Sequence, residues 1–215
     1  MNMTLKDHAL LYALLVKGLQ ETRKEEAEGY IAVFTRHYGH RRALRMKENA
    51  KALDREDLFG FLLCGELNMQ GQENSSRMEC KEKETVSRVA VCAWMQAWKR
   101  YDVVDYGSHY CRYIDAALAE VFSPAFSLQI DSTQGQGEKE CVFRWDQSVN
   151  EKELQEARKE ANGRYLKDYA FHCQDLLEAF RESLPDDLVR EVLGRVKKDL
   201  RGYPEVSQDV SQILD

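Results

Sequence analysis

Long apolar runs, Cys-x-x-Cys and His-x-x-x-His pairs and an excess of basic residues are all missing from this sequence. Its longest apolar runs, residues 9–16 and 59–64, are far shorter than the roughly 20 residues that a membrane-spanning helix needs. The first residues also lack a basic segment leading into an apolar, signal-type core. We therefore expect a protein that does not interact with membranes and that resides in the cytoplasm.

The charge balance is acidic, with 31 basic and 37 acidic residues and a net charge of -6 at pH 7. Affinity for nucleic acids comes largely from the neutralisation of phosphates by Lys and Arg, so this balance predicts no nucleic-acid partner. One basic segment, residues 36–47, stands apart. We interpret most of it as a solvated helix face.

Six cysteines are scattered at unrelated spacings, and there is no Cys-x-x-Cys or His-x-x-x-His pair. In a chain of this size without a secretory signal, this distribution indicates reduced thiols and not a disulfide framework.

The length of 215 residues and the hydrophobic content of 43% suit one domain with a sizeable core. The periodicity predicts a helical part over residues 1–66, a sheet with an inserted helix over residues 76–146, and further helices over residues 150–202. The predicted fold class is α+β, with a four-stranded, mainly antiparallel sheet and helices packed on one of its faces.

Capping residues suggest where individual helices begin and end. Thr4 is the expected cap of the first helix, and Gly39 is the expected end of the second, before a separate basic helix over residues 40–52. Asp54 and Ser108 are expected to cap two later helices. Asn150 is expected to cap a charged helix that Gly163 interrupts, followed by a helix over residues 164–184.

Strand-like alternation appears in the middle of the chain. Residues 76–81 and Thr85–Val91 predict a hairpin around a short charged turn. Two further strands are predicted, one from the alternation of Phe126, Leu128 and Ile130 and one from that of Cys141, Phe143 and Trp145.

Candidate chemistry concentrates near Cys111 and Cys141. Cysteine as a thiolate is a strong nucleophile, and Asp115, four residues after Cys111, shares its face on a helix. His172 has Asp168 four residues before it and Asp175 three residues after it, so a carboxylate is expected to orient the imidazole and raise its basicity.

Four places in the chain give it a specific resemblance to a known family, that of the L-2-amino-thiazoline-4-carboxylic acid hydrolases. The tyrosine-glycine-arginine segment is Tyr38-Gly39 with Arg41-Arg42, and the cysteine-containing strand end is Val91-Cys92-Ala93-Trp94 with Trp98. The central signature comprises Tyr110-Cys111 with Ile114-Asp115, Pro124, Thr133 and Cys141-x-Phe143-x-Trp145. The histidine helix contains Tyr169-x-Phe171-His172.

The resemblance implies a hydrolase acting on a C–N bond of a small cyclic amidine or amide that carries a carboxylate. Such a reaction needs a nucleophile, a proton donor for the departing atom and an anchor for the carboxylate. Cys111 and Cys141 are the candidate nucleophiles, with Asp115 beside Cys111, unless His172 instead activates water. The candidate residues for binding the substrate, including the arginines that would form a carboxylate clamp, are Arg41, Arg45, Arg144, Trp145, Cys92 and Tyr110.

Several alternatives stay open at this point. Free cysteine and aromatic residues are often core residues, so any of these side chains could serve packing alone. No cofactor is expected, but Cys92, Cys111, Cys141 and His172 would form a thiolate and imidazole set for zinc. The same fold could also be a non-catalytic small-molecule-binding module of vinyl-reductase-like type, or an interaction protein, and the chain could form a homodimer.

Overall fold

The computed structural model of this chain describes residues 2–206 and 208–214. The helices and strands follow one another in this order: α1 (Leu5–Thr22), α2 (Ala27–Lys51), α3 (Leu58–Leu63), β1 (Ser75–Cys80), β2 (Thr85–Val91), α4 (Ala93–Arg100), α5 (Val104–Gly107), α6 (His109–Phe122), β3 (Leu128–Ser132), β4 (Cys141–Trp145), α7 (Glu151–Ala161), α8 (Tyr169–Ser183), α9 (Asp186–Asp199) and α10 (Gln208–Gln212). The helices in the described part of the chain include none that is both long and apolar enough to cross a membrane.

The sheet has the strand order β1-β2-β4-β3, and each neighbouring pair is antiparallel. This confirms the predicted α+β class, the hairpin and the two later strands. Cys141 lies opposite Val89 in β2, and Phe143 lies opposite Ile130 in β3. Because side chains alternate between the faces of a strand, Cys141, Phe143 and Trp145 share one face of β4.

Helix α1 passes through the core of the molecule and is buried on nearly all sides. The carboxylate of Asp7 accepts a hydrogen bond from the Thr4 amide at 2.7 Å, which confirms the predicted start of this helix. The indole of Trp98 in α4 donates to the carbonyl of Ala9 at 2.9 Å. A helix with this many apolar neighbours is expected to be a main contributor to stability.

Helix α2 runs without a break from Ala27 to Lys51, so the prediction that Gly39 ends a helix is wrong. A Cβ at position 39 would lie 2.9 Å from the Cβ of Ala117 and 3.3 Å from the Cδ1 of Ile114, both in α6. Glycine is therefore needed there for the close approach of two helices, and not for its backbone freedom. This approach fixes the position of α6.

Two predicted caps are also wrong. Asp57, not Asp54, caps α3 by accepting a hydrogen bond from the Gly60 amide at 2.9 Å, and Asp54 lies in the preceding turn with φ of 55°. Ser108 has helical backbone angles and makes no cap hydrogen bond, because the short helix α5 leads directly into α6.

The C-terminal helices follow the prediction more closely. Asn150 caps α7, and Asn162 and Gly163 leave that helix with positive φ. The predicted helix over residues 164–184 begins later, at Tyr169, because Asp168 accepts a hydrogen bond from the Phe171 amide and caps it there.

Candidate active site

A cavity of about 250 Å³ lies between the helix-facing side of the sheet and the helices α2, α4 and α6. Its lining combines apolar and aromatic side chains with a few polar ones: Arg42, Leu67, Met69, Asn74, Val89, Cys92, Trp94, Trp98, Tyr110, Cys111, Ile114, Asp115, Leu118, Thr133, Cys141 and Phe143. A mostly apolar cavity with a few convergent polar groups is typical of a site for a small molecule.

Three cysteines from separate elements line this cavity. Cys92 precedes the first residue of α4, Cys111 lies in the first turn of α6, and Cys141 begins β4. Asp115 follows Cys111 by one helical turn and lines the same cavity, as expected from their spacing. The structure therefore brings together Cys92, Cys111, Cys141 and Asp115 from the predicted set.

The turn between β3 and β4 directs two successive backbone amides at two of these thiols. The Gln134 amide donates to the Sγ of Cys141 at 3.3 Å, and the Gly135 amide acts on the sulfur of Cys111. A Cβ at position 135 would lie 3.0 Å from both the Cβ and the Sγ of Cys111. A side chain at position 135 would crowd Cys111, so glycine favours this close approach of the turn to the thiol.

The thiols are protonated in the resting cavity. Burial raises the pKa of Cys141 to about 11, with the Gln134 amide acting in the opposite direction. Burial also raises the pKa of Cys111 and of Cys92, and the amides of Trp94 and Met95 partly oppose this at Cys92. A thiol with a pKa of about 11 is ionised in roughly one molecule in 10⁴ at pH 7.

Asp115 is the group in the cavity whose pKa lies nearest to neutrality. Desolvation raises the pKa of its carboxyl to about 6, against the opposing effect of Arg42. Such a group is ionised at pH 7 yet protonated often enough to exchange a proton in a reaction, which suits general acid–base chemistry.

The guanidinium in the cavity belongs to Arg42, which the sequence analysis did not single out as a clamp. Its side chain is 4% exposed and its Nη1 donates to the hydroxyl of Tyr110 at 3.2 Å. Its Nε is buried, lies 3.7 Å from the Glu66 carboxylate and has no hydrogen-bond partner among the described residues. Arg42 therefore retains donors for a ligand.

The three arginines that were predicted as clamps lie elsewhere. Arg41 pairs with Asp175, Glu178 and Glu182 of α8. Arg45 binds Asp175 at 2.7 Å and makes two hydrogen bonds with the carboxylate of Glu66 at 2.8 and 3.0 Å. These ion pairs connect α2 to α8 and do not line the cavity.

Arg144 projects from the other face of the sheet, where it pairs with Glu84 and Asp131. Trp145 is also separate from the cavity, because its ring packs 5.2 Å from that of Phe61 in the core. Of the predicted binding residues, Tyr110 and Cys92 line the cavity.

His172 is completely buried but does not line the cavity. The expectation that a carboxylate orients its imidazole is wrong, because Asp168 caps α8 and Asp175 pairs with arginines. Its Nδ1 lies 3.2 Å from the hydroxyl of Tyr38, and its Nε2 lies 3.4 Å from the carbonyl oxygen of Glu66.

His172 ends a chain of buried hydrogen bonds whose direction is fixed by its two termini. The indole of Trp94, which can only donate, reaches the Nδ1 of His8 at 3.2 Å, and the Nε2 of His8 lies 3.1 Å from the Tyr38 hydroxyl. The Glu66 carbonyl can only accept. Both imidazoles therefore carry their proton on Nε2, and Tyr38 donates to His172.

Both histidines in this chain are neutral at physiological pH. Burial lowers the pKa of His8 to about 3 and that of His172 to about 2, with Arg42 acting in the same direction. The network therefore holds Trp94, a wall of the cavity, against α1, α2 and α8. These contacts give His172 a structural position and not one beside a bound ligand.

The proposed zinc set is not assembled, because His172 is separated from the three thiols. Across residues 2–206 and 208–214, no group of three or more His, Cys, Asp or Glu side chains has an arrangement that could hold a metal ion.

One comparison with known proteins finds a match. A family model described as L-2-amino-thiazoline-4-carboxylic acid hydrolase matches residues 4–145. The residues that line the cavity, from Arg42 to Phe143, all lie inside the matched segment, whereas His172 lies outside it. No curated protein and no solved structure matches the chain. The family match covers well over half of the sequence, and the chain therefore belongs to the L-2-amino-thiazoline-4-carboxylic acid hydrolase family.

Proposed function

We propose that this protein hydrolyses a ring C–N bond in a small cyclic amidine or amide that carries a carboxylate. The observation that supports this proposal is the convergence of three thiols, one carboxyl group and one guanidinium on a single cavity of about 250 Å³. All of them belong to the segment that matches a family named for the hydrolysis of L-2-amino-thiazoline-4-carboxylic acid. The 2-aminothiazoline-4-carboxylate of that name is the first substrate to test.

The charges of the cavity suit a bipolar ligand. Arg42 would bind the substrate carboxylate with donors that the protein leaves unused, and a planar guanidinium can do so through two parallel hydrogen bonds. Asp115, ionised above a pH of about 6, would accept a hydrogen bond from the protonated amidine. Aromatic side chains such as Trp94 and Phe143 would enclose the ring.

Cys111 is the proposed nucleophile because it alone shares a helix face with Asp115. Its sulfur adds to the amidine carbon, and the thiol proton passes to the carboxylate of Asp115. Asp115 then gives the proton to the ring nitrogen as the ring C–N bond breaks. Water subsequently attacks the same carbon and displaces the sulfur, which recovers a proton, so that the net reaction consumes one water molecule.

The turn amides support this assignment. A protonated thiol is a weak nucleophile, so the sulfur must be stabilised as a thiolate when its proton passes to Asp115. The Gly135 amide is directed at the sulfur of Cys111, and the neighbouring Gln134 amide is directed at that of Cys141. A fixed N–H donor beside the Cys111 sulfur stabilises this thiolate before it attacks the amidine carbon.

Three serine variants in one cavity test the nucleophile. Cys111→Ser should lower kcat for 2-aminothiazoline-4-carboxylate by roughly 10³-fold or more, as expected for the loss of a nucleophile. Cys92→Ser and Cys141→Ser are the matched controls, with kcat expected to stay within about tenfold of the wild type. A loss confined to Cys141→Ser would refute the role of Cys111.

Two adjacent arginines test the carboxylate anchor. Arg42→Lys should raise KM by roughly tenfold, because lysine retains the charge but not the two-point geometry. Arg41→Lys, next to it in the sequence but paired with acids of α8, should leave KM unchanged. A KM that rises in Arg41→Lys and not in Arg42→Lys would show that Arg41 is the carboxylate anchor.

A non-catalytic ligand-binding module is favoured by one observation, the raised pKa of all three thiols. A cavity built only to bind needs no ionised sulfur. Calorimetry separates the two functions, since a module would bind 2-aminothiazoline-4-carboxylate without turning it over. If the wild type and Cys111→Ser bind this compound equally well and the wild type forms no product from it, the protein is a binding module.

A further inference from the structure

A second cleft of about 460 Å³ adjoins the cavity. Arg42, Leu67, Met69 and Asn74 line both spaces, so the two spaces meet at these residues. The cleft extends outward from this partition between residues 62–76 and the end of α7. A ligand fixed at Arg42 in the cavity therefore lies next to the cleft.

Two arginines line the outer part of the cleft. Arg158 lies in the last turn of α7, and Arg164 follows the left-handed residues Asn162 and Gly163 that end this helix. Neither arginine forms an ion pair with an acidic side chain in the described part of the chain. Both side chains are exposed to solvent, and the protein atoms on one side of Arg158 lower its pKa by desolvation.

The contacts of Arg158 leave most of its hydrogen-bond donors unused by the protein. Arg158 donates through Nη2 to the carbonyl oxygen of Leu62 at 2.9 Å, and a cation suits the C-terminal end of a helix. These contacts use one of its five donors. The acid of the cleft, Glu66, is already engaged by Arg45 through two hydrogen bonds, so it does not neutralise either arginine.

We propose that the outer cleft is a second carboxylate-binding subsite, formed by Arg158 and Arg164, for a substrate with one carboxylate at Arg42 and another in the cleft. The binding of the inner carboxylate at Arg42 rests on the proposed function. The outer subsite depends only on the cleft and its two arginines. A dicarboxylic substrate would accept charge-assisted hydrogen bonds from Arg42 at one end and from Arg158 and Arg164 at the other.

Adipate and hexanoate are suitable probes, because they have the same chain length and differ by one carboxylate. By calorimetry, the wild type should bind adipate roughly tenfold more tightly than hexanoate, as a charge-assisted hydrogen bond predicts. The double variant Arg158→Gln with Arg164→Gln should lose this preference. The double variant Arg190→Gln with Arg201→Gln, which removes two exposed arginines outside the cleft, should keep it.

An equal loss in both double variants would overturn the proposal, because it would show an effect of net charge alone. Equal affinity of the wild type for the two probes would also overturn it. These measurements need no turnover and can be made on Cys111→Ser. The binding of both probes to Arg42→Lys tests the inner anchor. The preference for adipate over hexanoate tests the outer subsite separately.

Discussion

Asp115 is expected to support activity while lowering stability, and Asp115→Asn should separate these two effects. Burial raises its pKa from 3.8 to about 6 in the folded protein. Between these values the unfolded chain has already released the proton that the folded chain retains, so stability falls as pH rises through this window. The full difference corresponds to roughly 3 kcal/mol above pH 6 and vanishes below pH 4.

Asparagine has nearly the same shape and no charge, so Asp115→Asn should raise the free energy of unfolding. We expect a gain of roughly 3 kcal/mol at pH 8 and about half of that at pH 5, with kcat reduced by roughly 10²-fold or more. Urea unfolding at both pH values, with kcat measured on the same preparations, tests this expectation.

Glu120→Gln is the matched control, because it removes an exposed carboxylate from the same helix. Glu120 has only a 3.7 Å ion pair with Arg36, so its removal should change stability by less than about 0.5 kcal/mol at either pH. The reasoning would be refuted if Asp115→Asn gave no more stability than this control, or if its gain were the same at pH 5 and pH 8.

Three further predictions concern the framework around the cavity. Gly39→Ala should destabilise the protein by about 1–2 kcal/mol, because the added Cβ would lie 2.9 Å from Ala117. The control Gly29→Ala, on the same helix, meets no atom within 4 Å and should stabilise the protein by about 0.5–1 kcal/mol. Equal thermal midpoints of the two variants would contradict this expectation. Tyr38→Phe removes the hydroxyl between the two buried imidazoles and should cost about 2–3 kcal/mol in urea unfolding without a comparable fall in kcat per folded molecule. Arg41→Gln should lower the thermal midpoint because three carboxylates each lose one ion pair, and a change in KM instead would place this residue at the substrate.

Local sequence signals were sufficient for much of the fold. Thr4 with Asp7 marked the start of α1, and Asn150 marked that of α7. The pattern of β-branched and alternating residues in β2 and β4 predicted that both segments are strands, since the side chains of a strand alternate between its faces. The spacing of Cys111 and Asp115 likewise predicted a shared helix face, which both residues present to the cavity. Each of these predictions depends on residues only a few positions apart.

Other features depend on which helix packs against which, and no local pattern specifies that. Gly39 resembles a helix end in the sequence, but α6 packs against it and makes it an interior position of α2. Likewise, the acids on either side of His172 suggest a catalytic group, whereas one caps a helix and the other binds arginines of α2.

Arg41 and Arg42 show the same limit most clearly. Adjacent residues on a helix point about 100° apart, so one of them faces the acids of α8 and the other faces the cavity beside α6. The sequence determined that two cations lie side by side on a helix. Only the packing of α2 between α6 and α8 decided which of them is enclosed with the thiols, because burial and charge partners are properties of the assembled core.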